Sequence, residues 1–151
     1  MVQEPTWTVL FGPLFQERFD EILASVRDLR KRLPPEEYRH HPTVKLYAAL
    51  DRLIWQTIPA DPDASDFRLR KPLAKFRRAK KHGLPDRYRL FWVSSSHLHI
   101  VIVLWLNDPS TLRKAGAKTD PYVVFSRMVQ RNQVGGDFDA EYKRWLARRK
   151  P

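Results

Sequence analysis

The longest uninterrupted apolar run of the chain extends over residues 100–106. It has the length of a strand and is far short of the roughly 20 residues that a membrane-spanning helix requires. Because no polar residue interrupts it, both faces of such a strand must be buried, which is typical of a central strand. The sequence therefore predicts a sheet organised around a strand over residues 98–106, and we expect no membrane partner.

Helical spacing of apolar residues dominates the first 60 positions. It predicts one helix that begins near Pro13 and ends before Pro34, and a second that follows Pro42 and stops at Pro59. The apolar run at 7–11 predicts an edge strand or an extended arm. Residues 61–66 are expected to form a loop.

Shorter elements are expected after this loop. Residues 67–70 and 73–79 are basic and could pair as strands, residues 82–86 form a turn, and residues 88–93 predict another strand. Asn107-Asp108-Pro109 ends the central strand and starts a helical turn. Further helices are predicted over residues 121–131 and 138–149. This order of elements favours an α+β class, with residues 1–151 forming a single domain.

The excess of positive charge lies mainly in the middle of the chain. The formal net charge is +11, from 28 Lys/Arg and 17 Asp/Glu. Residues 66–89 have ten basic and two acidic side chains, a net charge of +8, whereas residues 1–65 carry a net charge of −2. Aromatic residues interleave the basic ones, which indicates a folded surface. Because such a surface can neutralise phosphates and release counterions, we expect a nucleic acid partner.

Composition excludes several other classes of protein. A hydrophobic content of 42% is too high for a disordered basic tail. The absence of cysteine excludes disulfide frameworks, zinc knuckles and thiol catalysis. Residues 1–11 lack a basic start followed by an apolar run, so we expect no secretory signal and a cytoplasmic location.

Two segments carry a resemblance to a known family. The first is Arg-Tyr-Arg-Leu-Phe-Trp at 87–92. The second is Trp-Leu-Asn-Asp-Pro-Ser-Thr-Leu-Arg at 105–113, continued by Gly-Ala-Lys-Thr-Asp-Pro-Tyr at 116–122. Together they are similar to the YhaV toxins, a branch of the RelE-like ribonuclease toxins of bacterial type II toxin–antitoxin systems. The resemblance covers most of the chain.

This resemblance implies a RelE-like fold, in which two N-terminal helices pack on a small twisted antiparallel sheet with C-terminal helices. It also implies metal-independent endoribonuclease activity on mRNA, assisted by the ribosome and without a cofactor. The implied inhibitor is a cognate AbrB-like DNA-binding antitoxin of the PrlF type, in a toxin–antitoxin complex that binds its own operator.

Arginines are the expected catalytic groups of such a ribonuclease. The enzyme must deprotonate a 2′-hydroxyl, stabilise the charge on pentavalent phosphorus and protonate the departing 5′-oxygen. Arg suits the second task because its guanidinium group can donate hydrogen bonds to two phosphate oxygens at once. Arg87 and Arg89 have the same parity on the predicted strand, so we expect both on one face and Tyr88 on the other. Other basic residues are expected to converge on this pair: Arg68, Arg78, Lys80 and Arg113.

The general acid and base are less sharply indicated. Lys80 lies among arginines whose charges disfavour its protonated form, so it could serve as the base. His82, in the basic segment, is the best placed of the five histidines for the same chemistry. His97 and His99 share a strand face and imitate a metal site, but no third ligand is evident, and we expect no metal.

The remaining candidates are expected to contact substrate: Tyr88, Trp92, Asn107, Lys118, Asp120 and Tyr122. Asp120 is equally compatible with an N-cap and with an electrostatic role towards the arginines. Asn107 also suits a turn. The spacing of the aromatic residues favours a core, with Trp92, at a strand end, the one to test for stacking on an RNA base.

Two other functions fit the same pattern. A non-catalytic RNA- or DNA-binding module needs only the basic charge and the aromatics. The second alternative is an interaction protein that keeps the fold of the family but has lost its activity. The clustered Arg/Lys residues beside the Asn107 turn favour the enzyme.

Overall fold

A four-stranded sheet with helices on both faces forms the centre of the computed structural model, which describes residues 6–149. The strands are β1 (Thr8–Phe11), β2 (Arg77–Ala79), β3 (Leu90–Ser95) and β4 (Ile100–Leu106), in the order β1-β4-β3-β2. Central β4 pairs with β3 antiparallel and with β1 parallel. The predicted α+β class, edge strand and central strand are confirmed. The sheet is mixed, however, and not wholly antiparallel, because β1 runs parallel to β4.

Alternation along β4 explains how both faces of the sheet are covered. Val101 and Val103 belong to one core, whereas Ile102 and Leu104 belong to another, and all four are buried. Since successive residues of a strand point to opposite faces, an uninterrupted apolar run supplies two cores at once. The strand begins at Ile100 because His99 has a left-handed φ of 55° within the preceding turn.

The first core lies under the N-terminal helices. These are α1 (Pro13–Arg32), α2 (Pro35–His40) and α3 (Pro42–Arg52), after which a π-helical turn (Leu53–Thr57) leads into the short α4 (Ile58–Ala60). The two predicted helices are confirmed. The helix α2 was not predicted, because Pro34-Pro35 is typical of a helix end, whereas Pro35 here occupies the first turn of a new helix.

The second core lies under α5 (Pro121–Gln130) and α6 (Phe138–Arg149). Phe125 of α5 stacks on Phe91 of β3 at 4.3 Å and meets Phe76 edge-on at 5.0 Å. Both predicted C-terminal helices are confirmed. Among residues 6–149, no helix is both long enough and apolar enough to cross a membrane.

The basic segment has less strand than the sequence predicts. Only Arg77–Ala79 forms a strand, and the predicted strand at 67–70 is reduced to a single bridge between Arg68 and Arg77. β3 begins at Leu90, so Arg87 and Arg89 precede it, and Arg87 lies in a turn with a φ of 68°. The parity argument for these two arginines is therefore wrong, since alternation of faces holds only within a strand.

Candidate active site

A large basic cleft opens between the segment 65–73, the residues that follow β2 and the helix α5. Its volume is about 1020 Å³. One carboxylate, Asp66, lines it, against seven cationic side chains: Arg68, Arg70, Lys71, Arg78, Lys80, Lys81 and Arg127. A concave site with this charge attracts a polyanion and repels cations.

Three arginines converge on Tyr122, which lines the basic cleft at the start of α5. The Nε of Arg89 donates a hydrogen bond to the Tyr122 hydroxyl at 3.1 Å. The guanidinium carbons of Arg113 and Arg78 lie 4.9 and 5.9 Å from the centre of its ring. Cations at these distances are attracted by the negative face of the ring. Tyr122 thus gathers three positive charges from three separate segments of the chain.

Asp120 fixes Arg113 and begins α5 at the same time. It is only 2% exposed, and one carboxylate oxygen accepts hydrogen bonds from the Arg113 side chain at 2.7 Å and the Lys114 N–H at 2.8 Å. Its other oxygen accepts from the Tyr122 N–H at 3.1 Å. Both roles that the sequence left open, N-cap and electrostatic partner, are present. Because the carboxylate is buried and occupied, Asp120 positions Arg113 and does not contact substrate.

Asn107 holds the two neighbouring arginines through their backbone. Its side-chain oxygen accepts from the Arg89 N–H at 2.7 Å, and its amide group donates to the carbonyl oxygens of Arg87 at 3.1 Å and Thr111 at 2.7 Å. The Arg113 N–H also donates to the Arg87 carbonyl, at 3.0 Å. Asn107 is completely buried. The prediction that it binds substrate is therefore wrong, and its role is to fix the loops that carry the arginines.

Arg87 and Arg89 differ in exposure. The Arg87 side chain is exposed, whereas that of Arg89 is half-buried and also donates to the Tyr88 carbonyl at 2.8 Å. Of the two, Arg89 is the one held against Tyr122. The structure therefore joins Arg89, Arg113, Arg78 and Tyr122 in one constellation and leaves Arg87 beside it.

The rim of the basic cleft has its own ion pairs. Asp63 accepts from Arg68 at 3.4 Å and from Arg77; of these three residues only Arg68 lines the cleft. Arg78 donates to the Asp66 carbonyl at 3.0 Å, while its Nε is buried with no partner among residues 6–149.

Lys80 and His82, the two candidates for the base, both line the basic cleft and are exposed. His82 has a left-handed φ of 65°, and its ring lies 5.6 Å from that of Phe67. Because both side chains lie in the cleft, their location does not distinguish Lys80 from His82 as the proton acceptor.

Three of the predicted substrate contacts lie elsewhere. Trp92 is completely buried, donates from its indole nitrogen to the Pro62 carbonyl at 3.2 Å and meets Phe67 edge-on, so the prediction that it stacks on a base is wrong. Tyr88 packs against the core beneath the N-terminal helices, and Lys118 is exposed on a turn; neither lines the basic cleft.

Four cationic residues of the cleft were not predicted from the sequence: Arg70, Lys71, Lys81 and Arg127. Arg127 lies five residues after Tyr122 on α5, a spacing that turns it well away from Tyr122 around the helix axis, so helical periodicity gave no signal for it. The other three lie outside helices and strands, in segments whose direction the sequence pattern does not specify.

The turn after β4 contains Asp108, a carboxyl group whose pKa departs from its ordinary value. Burial alone would raise the pKa of Asp108, but hydrogen bonds from the Ser110 and Thr111 side chains and the Ser110 N–H, with the charge of Arg18, bring that pKa below its ordinary value. Asp108 caps the helical turn Pro109–Thr111, as predicted.

The histidines of the predicted strand face lie in the turn before β4. His99 packs against Trp7, with ring centres 4.7 Å apart. Within residues 6–149, no three His, Asp or Glu side chains come together as a metal site would require.

Comparisons with known proteins agree with the resemblance of residues 87–92 and 105–122. A model of a family described as a toxin with endonuclease activity, of a toxin–antitoxin system, matches residues 9–145. The ribonuclease toxin YhaV of Escherichia coli strain K12 is 35% identical over 137 residues, covering 88% of each chain. Toxin YhaV of Escherichia coli O157:H7 matches with the same identity and coverage.

Among solved structures, the toxin–antitoxin complex RelBE2 of Mycobacterium tuberculosis contains a chain with 19% identity. The alignment covers 70% of this chain and 93% of that chain, with a TM-score of 0.38. The family match spans β1 to α6, including every segment that contributes to the basic cleft. The chain therefore belongs to the YhaV family of toxins with endonuclease activity, which act within toxin–antitoxin systems.

Proposed function

We propose that this toxin cleaves RNA by attack of a 2′-hydroxyl on the adjacent phosphodiester, without a metal ion. The observation that carries the proposal is the convergence of Arg78, Arg89 and Arg113 on Tyr122 at the wall of the basic cleft. Fixed guanidinium groups are what a phosphorane-like transition state needs, because they stabilise charge as it develops. The curated relative named as a ribonuclease supports RNA as the substrate.

The reaction divides into three tasks. The 2′-oxygen bonds to phosphorus while Lys80 or His82 takes its proton, and the bond to the 5′-oxygen breaks. The products are a 2′,3′-cyclic phosphate and a 5′-hydroxyl. Arg89 already donates to the Tyr122 oxygen, so the hydroxyl proton of Tyr122 is free to be given to the departing 5′-oxygen.

The side chains of the basic cleft favour this chemistry over metal catalysis. Divalent cations in phosphoryl-transfer sites are held by carboxylates. The cleft has one carboxylate against seven Lys/Arg side chains, and the charge that a metal would supply is already present on arginine.

We further propose that the target is mRNA, that the ribosome assists cleavage, and that residues 1–151 act as one toxin domain in the cytoplasm. The cognate antitoxin is proposed to be an AbrB-like DNA-binding protein of the PrlF type, in a complex that binds its own operator. The description of the family as toxins of toxin–antitoxin systems supports a dedicated inhibitor.

The test uses the purified toxin, an end-labelled mRNA and excess EDTA, with and without ribosomes. We expect products with 2′,3′-cyclic phosphate ends, and no cleavage where a 2′-deoxynucleotide replaces the attacking one. Arg78→Ala should reduce the rate, whereas Arg30→Ala, an equal loss of charge on the exposed end of α1, should not. If the wild-type protein binds RNA but cleaves it neither with nor without ribosomes, it is a non-catalytic RNA-binding module instead.

A further inference from the structure

The two sides of the basic cleft differ in chemistry. The basic wall consists of the cationic cleft residues at 68–81, whereas the α5 wall has one cation, Arg127, and presents three uncharged side chains besides Tyr122: Val123, Ser126 and Gln130. Val123 is 38% exposed, Gln130 is exposed and Ser126 is half-buried. A site that needed only to hold phosphates would gain nothing from these uncharged groups.

Helical geometry aligns the polar members of the α5 wall with the proposed reaction centre. Tyr122, Ser126 and Gln130 are spaced four residues apart, so they lie on one side of α5. With a rise of about 1.5 Å per residue, Ser126 lies about 6 Å and Gln130 about 12 Å along the axis from Tyr122. An RNA strand that runs along α5 with its scissile phosphate at Tyr122 therefore brings neighbouring nucleotides past both side chains.

These residue types are suited to bases. A carboxamide both donates and accepts hydrogen bonds, and can pair with the edge of a base in two places. A serine hydroxyl also donates and accepts, and an exposed valine offers an apolar surface to the face of a ring. Proteins read RNA sequence on unpaired bases in this way, while backbone contacts with cations carry no sequence information.

We propose that Ser126 and Gln130 are specificity-determining residues, which read a base next to the scissile phosphate while the basic wall holds the backbone. This inference rests on the proposed ribonuclease function. It assigns recognition of sequence to α5, and recognition of phosphate to residues 68–81.

The experiment compares cleavage sites in a pool of mRNAs of defined sequence, both as naked RNA and in a translating cell-free extract, by sequencing the new 5′ ends. We expect Gln130→Ala and Ser126→Ala to lower discrimination at one position next to the cut by about tenfold, with cleavage at disfavoured sites retained. Gln130→Glu, which keeps the acceptor and removes the donor, should change which base is preferred. The matched control is Gln133→Ala, an equal truncation at an exposed residue outside the cleft.

The outcomes separate this inference from the proposed function. If the wild-type toxin cleaves and the Gln130 and Ser126 variants keep its site preference, α5 does not read the base and the inference is wrong. If the wild-type toxin cleaves no RNA in either condition, the proposed function itself fails. Circular dichroism of each variant checks that it is folded, and Gln130→Glu keeps the inference testable if a truncation is unstable.

Discussion

The residues around Tyr122 make contributions that can be separated by mutation. Arg89 is held by its backbone through Asn107 and uses its side chain on the Tyr122 hydroxyl. Its loss should therefore remove a charge from the reaction centre and leave the loop in place.

We expect Arg89→Ala to lower the cleavage rate by about 100- to 1,000-fold, as removal of one charge-stabilising donor typically does. The melting temperature should stay close to that of the wild type. Single-turnover cleavage and thermal unfolding are the measurements. If Arg89→Ala is inactive because it is unfolded, Arg89 is a structural residue instead. Arg87→Ala, at the exposed neighbouring arginine, should lower the rate less.

Asn107 should behave in the opposite way, with the larger effect on stability. Asn107→Ala leaves the Arg89 N–H and the Thr111 carbonyl without their side-chain partner, and leaves the Arg87 carbonyl with the Arg113 N–H alone. Unsatisfied buried groups cost about 1–3 kcal/mol each, so we expect the free energy of unfolding to fall by about 2 kcal/mol or more. Chemical denaturation measures it. Asn107→Asp should be no better, because its carboxylate would face two carbonyl oxygens; a stable Asp variant contradicts this reading.

Asp108 should make the stability dependent on acid. Because its pKa is lower in the folded protein than its ordinary value, its contribution is complete above the ordinary pKa and is lost as the pH falls through the folded-state value. The difference in melting temperature between the wild type and Asp108→Asn, measured from about pH 6 to about pH 2, should isolate this contribution. A difference that is constant over the whole range would show that the charge of Asp108 is not involved.

Prediction from sequence reached the right residue types at this scale but not all of their roles. Arg89, Arg78, Arg113 and Tyr122 were predicted for the site and lie together. Asn107, Asp120 and Trp92 were predicted to contact substrate but are buried. Residue type reveals hydrogen-bonding capacity, whereas burial depends on the packing of distant segments, which a single sequence does not specify.

At the scale of elements, the basic wall should determine how tightly RNA is held. Each phosphate that it neutralises should contribute about 0.7 to the slope of log K against log salt for a single strand. We expect Arg78→Ala combined with Lys80→Ala to flatten this slope, measured by fluorescence anisotropy at several salt concentrations. An unchanged slope would place the phosphate contacts elsewhere, and Arg30→Ala controls for loss of net charge.

The elements themselves were predictable where apolar periodicity is strong. The helices α1, α3, α5 and α6 and the strand β4 have such patterns, and all are confirmed. The segment 65–89 was not predictable in detail, because its basic residues alternate with too few apolar ones to define a period. Its path is determined by contacts such as that of Phe76 with Phe125, which lies 49 positions away in the chain.

At the scale of the whole molecule, charge should decide how the toxin is inhibited. An acidic segment of the antitoxin that enters the basic cleft would place carboxylates where RNA phosphates would lie. We expect the antitoxin and RNA to compete, and Arg68→Glu or Lys80→Glu to weaken both interactions in parallel. Native mass spectrometry and competition binding measure this.

A ternary complex of toxin, antitoxin and RNA would refute this competition. It would favour an antitoxin that binds the N-terminal helices, where residues 1–65 carry a net charge of −2. Arg30→Glu, on α1, is the control that should affect only that second arrangement.

The basic cleft is assembled from segments that are synthesised at different times. Residues 65–82 supply most of its cations, whereas Tyr122 and the rest of α5 come some 40 residues later. A nascent chain that has exposed only the earlier segment has a polycationic surface but no completed reaction centre. Since protein synthesis adds about 5–20 residues per second, the polycationic segment precedes the completed constellation at Tyr122 by some seconds.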